Sequence, residues 1–546
     1  MKKISGILIY CSFLFALTSC TSTKKIDLLV YNGKIYTVDS SFSIAEAMAV
    51  KDGKIVETGM TKELSAKYDA SEKIDASGRF VYPGFIDAHA HFFRYGLGLQ
   101  TANLVGTQSW YEILEKLRAF AVENKSGWLV GRGWDQNDWP TKEFPTRERL
   151  DQMFPDRPVM LKRVDGHAAI VNQQAINLAG LEPGQQINGG TIETKDGQLT
   201  GILIDNAVDL VSAKIPAPTA DEISSSLQKG QQNCFAVGLT TVDDCGIDYA
   251  DALFMDSLHK KGILKMRVYA MLSDAKKNYD FLFSKGRIKT PYLNMRSFKV
   301  YADGALGSRG ACLLSPYHDR KDWYGFLLSS PEHFDSVASI IAQHDFQMCT
   351  HAIGDSGNRT ILNIYGKYLQ GKNDKRWRIE HAQVVHPNDF ELFGRYSIIP
   401  SVQPTHATSD MYWAGERLGT EREKGAYAYH QLLQQNGWIP LGTDFPVEDI
   451  SPFKTFSSAV FRVDDKGFPS GGYQPNNALS AQDALRGMTI WAARSNFEEN
   501  EKGSLEKDKL ADFIILDRDL MKSNSAEVLS TKVMATFIGG EKVFGK

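Results

Sequence analysis

No excess of basic charge marks this chain: 62 Lys and Arg stand against 65 Asp and Glu over 546 residues, a net charge of −3 with a pI of about 6.5. A surface built to neutralise phosphates is disfavoured, and a nucleic-acid partner with it. Cysteine is scarce, six in all with no Cys-x-x-Cys pair, so a zinc ribbon or a dithiol redox motif is missing. There is no Gly-x-Ser-x-Gly elbow either, which removes one common way of presenting a serine nucleophile. What is present is ordinary for a soluble globular protein, with 42% hydrophobic and 23% charged residues. The length suggests two to four units, or one large barrel with additions.

The first apolar run, residues 7–17, follows Lys2-Lys3 and is too short for a comfortable membrane span. With Leu17-Thr18-Ser19-Cys20 closing it, residues 1–20 read as a targeting segment of the bacterial lipoprotein type. Cleavage before Cys20 and lipid attachment to its sulfur are expected, which would anchor an exported protein at the cell envelope; the alternative is an ordinary secretory signal. Cys11 and Cys20 belong to this leader. An exported chain could pair the other four, but one this large needs no staples, and Cys245 and Cys349 fall in or at the end of buried strand-like runs. Cys234, Cys245, Cys312 and Cys349 are therefore read as small buried thiols.

Residues 26–82 alternate short strand-like runs with Asn32-Gly33 and Asp52-Gly53, strong two-residue hairpin signals. Residues 500–546 have the same texture, so both chain ends are expected to build one small β-sandwich domain. Between them, residues 83–499 alternate apolar strand-like and helix-like segments, the signature of parallel βα units. Eight strands are expected, the first at the His89-Ala90-His91 run and the others near 239–244, 266–271, 297–303, 347–351, 378–381, 398–403 and 439–444. Helices are expected over 221–236, 331–344, 358–370 and 388–396. The fold class is α/β, a (β/α)8 TIM barrel. The gap after the first strand is too long for one crossover, so an inserted subdomain at about 127–216 is expected, shaping the pocket at the barrel mouth.

Two histidines at i and i+2 point from one face of a strand and can grip one cation. His89 and His91 are such a pair, and His351, His381 and Asp444 stand at the ends of other expected strands, with Lys299 on a further one. Barrel enzymes draw their catalytic groups from those ends. Imidazole and carboxylate donors suit a divalent first-row ion, zinc foremost.

The words Pro83-Gly84-Phe85-Ile86-Asp87-Ala88-His89-Ala90-His91, Asp165-Gly166-His167-Ala168, Lys299-Val300-Tyr301-Ala302-Asp303-Gly304, His351-Ala352-Ile353-Gly354-Asp355, Arg378-Ile379-Glu380-His381 and Gly442-Thr443-Asp444 give the chain its family likeness. It resembles the amidohydrolase superfamily, within it the amidohydrolase-3 group that includes N-substituted formamide deformylase. The resemblance implies that His89, His91 and Asp444 hold one ion and His351 and His381 a second, one or two per chain, with a carbamate on Lys299 bridging them. It implies hydrolysis of a C–N bond in an amide, N-acyl or N-formyl compound by metal-activated water, with Asp444 as general base. A plain barrel-lining Lys299 would leave a mononuclear site. The same site on an ester, a lactone or a deaminated heterocycle is the alternative chemistry, and a non-catalytic ligand-binding lipoprotein the alternative class. His167, Trp134 and Asp135 are second-rank substrate contacts, the tryptophan being equally at home in a core. Arg309 either clamps a substrate carboxylate or carbonyl or pairs with a nearby acid. His406 is a pocket candidate without a role, and homo-oligomer formation stays open.

Overall fold

The computed structural model describes residues 23–545 apart from 126, 164, 165, 167, 188 and 189. Seven parallel strands form its centre: β1 (Phe85–Ala90), β2 (Leu239–Ile247), β3 (Arg267–Ser273), β4 (Leu293–Tyr301), β5 (Gln347–Ala352), β6 (Arg378–His381) and β7 (Ile399–Ser401), each paired with the next. Apolar side chains of these strands, such as Val242, Val268, Val300, Met348 and Ile379, share one core with Phe235, Met255, Phe334, Ile341 and Leu362 of the surrounding helices. This two-sided burial explains why the strands read as nearly continuous apolar runs.

An eighth strand over 439–444 is replaced by a single bridge between Val402 and Leu441. Pro440 brings no N–H to a ladder, yet the segment still bonds to both neighbours. Val402 N donates to Pro440 O (3.2 Å) and Gly442 N to Val402 O (3.0 Å) on one side. On the other, Ala88 N donates to Leu441 O (3.1 Å) and Asp444 N to His89 O (2.7 Å). The segment thus joins β7 to β1 and closes the ring.

The crossover helices start where the chain supplies caps. Thr219 and Glu222 form a reciprocal capping box before Ala220–Ala236, and Ser330 caps Pro331–Gln343 with proline in the first turn. The expected helix at 358–370 begins earlier, as Asp355–Leu369, and that at 388–396 is a turn at Pro387–Asp389 followed by Phe390–Arg395.

The chain ends build two sheets. Lys54–Gly59, Ala47–Lys51, Lys24–Tyr31 and Tyr68–Asp75 make the first, entirely from the N-terminal segment. Its last strand is parallel to Lys24–Tyr31 and mostly exposed, which is why its polar sequence hid it. The second runs Glu541–Gly545, Val533–Ile538, Phe513–Leu516, Phe80–Pro83, Lys34–Tyr36 and Ile44–Ala45, mixing both ends. Leu28, Val30 and Met48 from the first sheet meet Ile35, Val81, Phe513 and Phe537 from the second in a common core.

A further six-stranded sheet is inserted after β1, running from Ala102–Asn103 to Gln198–Asp205. It begins before residue 127, because the helix Trp110–Glu123 packs Ile113, Leu114 and Leu117 against Leu129, Trp134 and Leu161. Among the described residues no helix is long and apolar enough to cross a membrane. Cys234, Cys245, Cys312 and Cys349 are all free thiols, and all but Cys312 are buried. Cys20 and the leader lie outside the described residues.

Candidate metal centre

The C-terminal ends of the barrel strands bring His89, His91, Lys299, His351, His381 and Asp444 together. His91 Nε2 is 3.1 Å and His89 Nε2 3.6 Å from Asp444 Oδ1. The His89 and His381 rings are 4.7 Å apart between centroids, and those of His351 and His381 4.5 Å. Lys299 is fully buried, with Nζ 3.1 Å from His89 Nε2. His381 and Asp444 both have left-handed backbones, at φ 72° and 66°. Non-glycine residues are held there only where their surroundings enforce it, and such positions cluster at functional sites.

Buried, closely spaced histidines without partners are costly unless something else satisfies them. His351 Nε2 and His381 Nδ1 are buried with no hydrogen-bond partner. Burial with Lys299 nearby pushes His89 down to about 4 and His351 to about 3, and burial beside His351 drives His381 well below the ordinary range. The three rings are neutral at physiological pH and each carries an unprotonated nitrogen, the form in which imidazole ligates a metal. Burial would raise Asp444, but His406 and His91 outweigh it and hold the carboxyl well below its usual range. Ligand atoms of His89, His91 and Asp444 lie within 4.8 Å of one another, as do those of His381, His406 and Asp444. Imidazoles converging on one carboxylate fit a divalent cation.

Below this cluster lies a buried ionic layer that the sequence reading left unassigned. His89 Nδ1 is 2.6 Å from Glu380 Oε2, so His89 donates there and keeps Nε2 facing the cluster. Arg378 binds Glu380 Oε1 (2.7 Å) and Asp243 Oδ2 (2.8 Å), all three side chains fully buried. Arg378 and Glu380 alternate with the apolar Ile379 along β6, so one face of that strand is charged, a pattern already present in the sequence. Asp303, within the resembling word at the end of β4, accepts from Ile353 N, Cys312 N and Gly354 N (2.8–2.9 Å). It ties the loop after β4 to the end of β5. His406 is in the cluster too, with Nε2 3.2 Å from Asp444 Oδ2 and Nδ1 2.9 Å from Glu448 Oε1.

Beside His91 a cavity of about 230 Å³ is lined by Arg94, Asp244, Gly246, Ser273 and Tyr301. The second-rank residues stand elsewhere. Trp134 is fully buried in the core of the insertion, stacked on Trp139 with Nε1 donating to Leu161 O; it offers no surface to a ligand, because the apolar sheet of the insertion closes over it. Asp135 pairs with Arg163 (2.5 Å). Arg309 pairs with Asp319 through two nitrogens, at 3.2 and 2.7 Å, the acid partner rather than a substrate clamp. His167 and Asp165 lie outside the described residues.

The amidohydrolase family's sequence profile matches residues 72–544. The chain belongs to that family. This amidohydrolase is 33% identical over 537 residues to the Arabidopsis thaliana protein LONG AFTER FAR-RED 3, covering 95% of this chain and 91% of that one. It is 26% identical over 552 residues to the N-substituted formamide deformylase of Arthrobacter pascens, at 95% and 98% coverage. The crystal structure of an uncharacterized metal-dependent hydrolase from Pyrococcus furiosus superposes with a TM-score of 0.74 at 28% identity, covering 91% of this chain and 100% of that one. The amidohydrolase is thus a metal-dependent hydrolase whose candidate ligands are histidines and an aspartate.

Proposed function

We propose that this amidohydrolase cleaves a C–N bond of an amide, N-acyl or N-formyl compound, with Asp444 as the general base. The observation that carries the reading is the meeting of four strand-end histidines, His89, His351 and His381 among them neutral, with one ionised, buried carboxylate. The relative that is an N-substituted formamide deformylase supports the choice of bond.

In this reading His89, His91 and Asp444 would hold one ion and His351 and His381 a second, and Lys299, after its Nζ amine had captured carbon dioxide, would offer them an anionic carbamate oxygen. Bound divalent ions, zinc foremost, supply positive charge that acidifies water and polarises a carbonyl. Glu380 fixes the His89 tautomer so that Nε2 faces the cluster. Asp444, at 8% side-chain exposure and well below its usual pKa, takes the proton of the attacking water and delivers it to the departing nitrogen. The cavity beside His91 receives the substituent next to the scissile bond. Export and lipid attachment at Cys20 belong to the same proposal and rest on the Leu17-Thr18-Ser19-Cys20 word.

The test is metal analysis of protein purified without chelator, followed by turnover on a panel of amides, lactones and aminoheterocycles. One to two transition-metal ions per chain and preference for amides are expected, with Asp444→Asn lowering kcat by about 10²–10⁴-fold. Folded wild-type protein free of metal refutes the site, and a preference for lactones or aminoheterocycles refutes the bond.

A further inference from the structure

His406 has donor geometry towards the cluster, and two roles compete for it: ligand, or holder of a ligand. The occupancy of its ring nitrogens separates them. Nε2 is bonded to Asp444 Oδ2 at 3.2 Å, and Nδ1 to Glu448 Oε1 at 2.9 Å. Both partners are carboxylate oxygens, which can only accept, so both nitrogens donate and neither lone pair is left for a cation, whereas the second nitrogen of His89 faces the Lys299 amine. His351 Nε2 and His381 Nδ1 lack any hydrogen-bond partner, as a nitrogen reserved for a cation does. We infer that Glu448 and His406 are positioning residues that fix the carboxylate of Asp444, leaving Oδ1 alone turned towards His89 and His91.

The arrangement is held from two successive βα units. His406 sits in the first turns of the helix Pro404–Asp410, just after β7. Glu448 lies four residues beyond Asp444, past the end of the closing segment. Ser409 Oγ, one turn further along the same helix, donates to Glu448 Oε1 at 2.6 Å and fixes that carboxylate in turn. The side chains of His406, Glu448 and Asp444 are 12%, 17% and 8% exposed, so solvent competes little for these bonds. On the other side, Oδ1 is 3.1 Å from His91 Nε2. A carboxylate on a freely rotating Cα–Cβ–Cγ stem could turn either oxygen, or both, towards a cation. With Oδ2 held by His406, the orientation of the base and its ligand oxygen are set before an ion or substrate arrives.

The inference rests on the metal-hydrolase reading and is tested with zinc itself as the probe. Wild type, His406→Phe, Glu448→Ala and Glu448→Gln are titrated with zinc against a chromophoric chelator, and stoichiometry and affinity are read separately. His406→Phe is expected to keep the wild-type stoichiometry at saturation while its affinity falls about 10–100-fold. Glu448→Ala is expected to lose less, and Glu448→Gln, which keeps an oxygen for Nδ1–H, to recover most of that loss. On any substrate the wild type turns over, kcat falls and KM stays nearly constant, the pattern of a misaligned base. Loss of one zinc equivalent in His406→Phe would make His406 a ligand and overturn the inference. So would wild-type affinity in every variant, including variants that only unfold more easily. If His406→Phe does not fold, the two Glu448 variants decide the matter alone. A wild type that binds no zinc overturns the underlying reading and this inference together, whereas zinc-loaded wild type with indifferent variants overturns this inference only.

Discussion

Replacing Glu380 by glutamine tests the ionic layer beneath the metal centre with almost no change of shape. Burial alone would raise this carboxyl, but Arg378 and His89 outweigh it and hold the group down at about 2 rather than its ordinary 4.5. A depression of that size corresponds to about 3 kcal/mol of interaction favouring the charged form. It falls in the range of about 3–5 kcal/mol measured when one partner of a buried ion pair is removed. Because the folded pKa lies below the unfolded one, the stabilisation is complete at neutral pH and fades as pH falls from about 4.5 towards 2. Glu380→Gln leaves an amide oxygen for His89 Nδ1–H, so the tautomer survives, but Arg378 keeps only Asp243 as a charged partner. Urea unfolding of the metal-free protein at pH 7 should register a loss of about 3 kcal/mol, and chelator competition a metal affinity weaker by about 10–100-fold. A loss under about 1 kcal/mol with unchanged affinity would mean that Arg378 is satisfied by Asp243 and its neutral neighbours, and the argument would fail.

Two further substitutions probe other parts of the centre. Lys299→Ala removes the amine that the bridging carbamate needs, so activity and metal content should fall together and short carboxylic acids should partly restore both; a fully active, fully loaded variant would dispose of the carbamate. Gly442→Ala places a Cβ 2.5 Å from His89 N and 2.9 Å from Asp87 Oδ1. Overpacking of this kind costs about 1–3 kcal/mol, and here it pushes the Asp444 segment off β1, so metal content should drop along with the unfolding midpoint; a stable, fully loaded variant would show that the seam yields freely.

How much could be read beforehand depended on whether position follows from periodicity. His89 and His91 were legible because a strand repeats every two residues, and His351, His381 and Asp444 because each ends an apolar run. His406 was not assigned a role because it stands beyond the strand, on a short helix whose direction no periodicity announces. Glu380 is harder to read: an acid on a strand reads as solvent-facing until its i−2 neighbour Arg378 is seen to share its face. For Trp134 and Arg309 the sequence leaves two readings open. A tryptophan or an arginine in a mixed-polarity stretch carries no signal of which side it faces, and here one is core and the other is tied to Asp319. The eighth strand was located correctly but its regularity was not, since Pro440 and the left-handed Asp444 interrupt pairing within six residues.

That irregular segment explains why closure of the ring and assembly of the centre are one event. Asp87, between the apolar residues of β1, accepts from Thr443 N (2.9 Å) and Thr443 Oγ1 (2.7 Å), and from His89 N (3.1 Å). Asp444 N donates to His89 O, and His91 N to Phe445 O. All but the His89–Asp87 bond tie a ligand of the first strand, or a residue two away from one, to Asp444 or its immediate neighbour on the closing segment. A ring left open at this seam would keep a folded β2–β7 sheet with His351 and His381 on it, yet would separate His89 and His91 from Asp444. The Asp87–Thr443 contact therefore belongs to the metal centre as much as to the barrel, although neither side chain supplies a ligand atom.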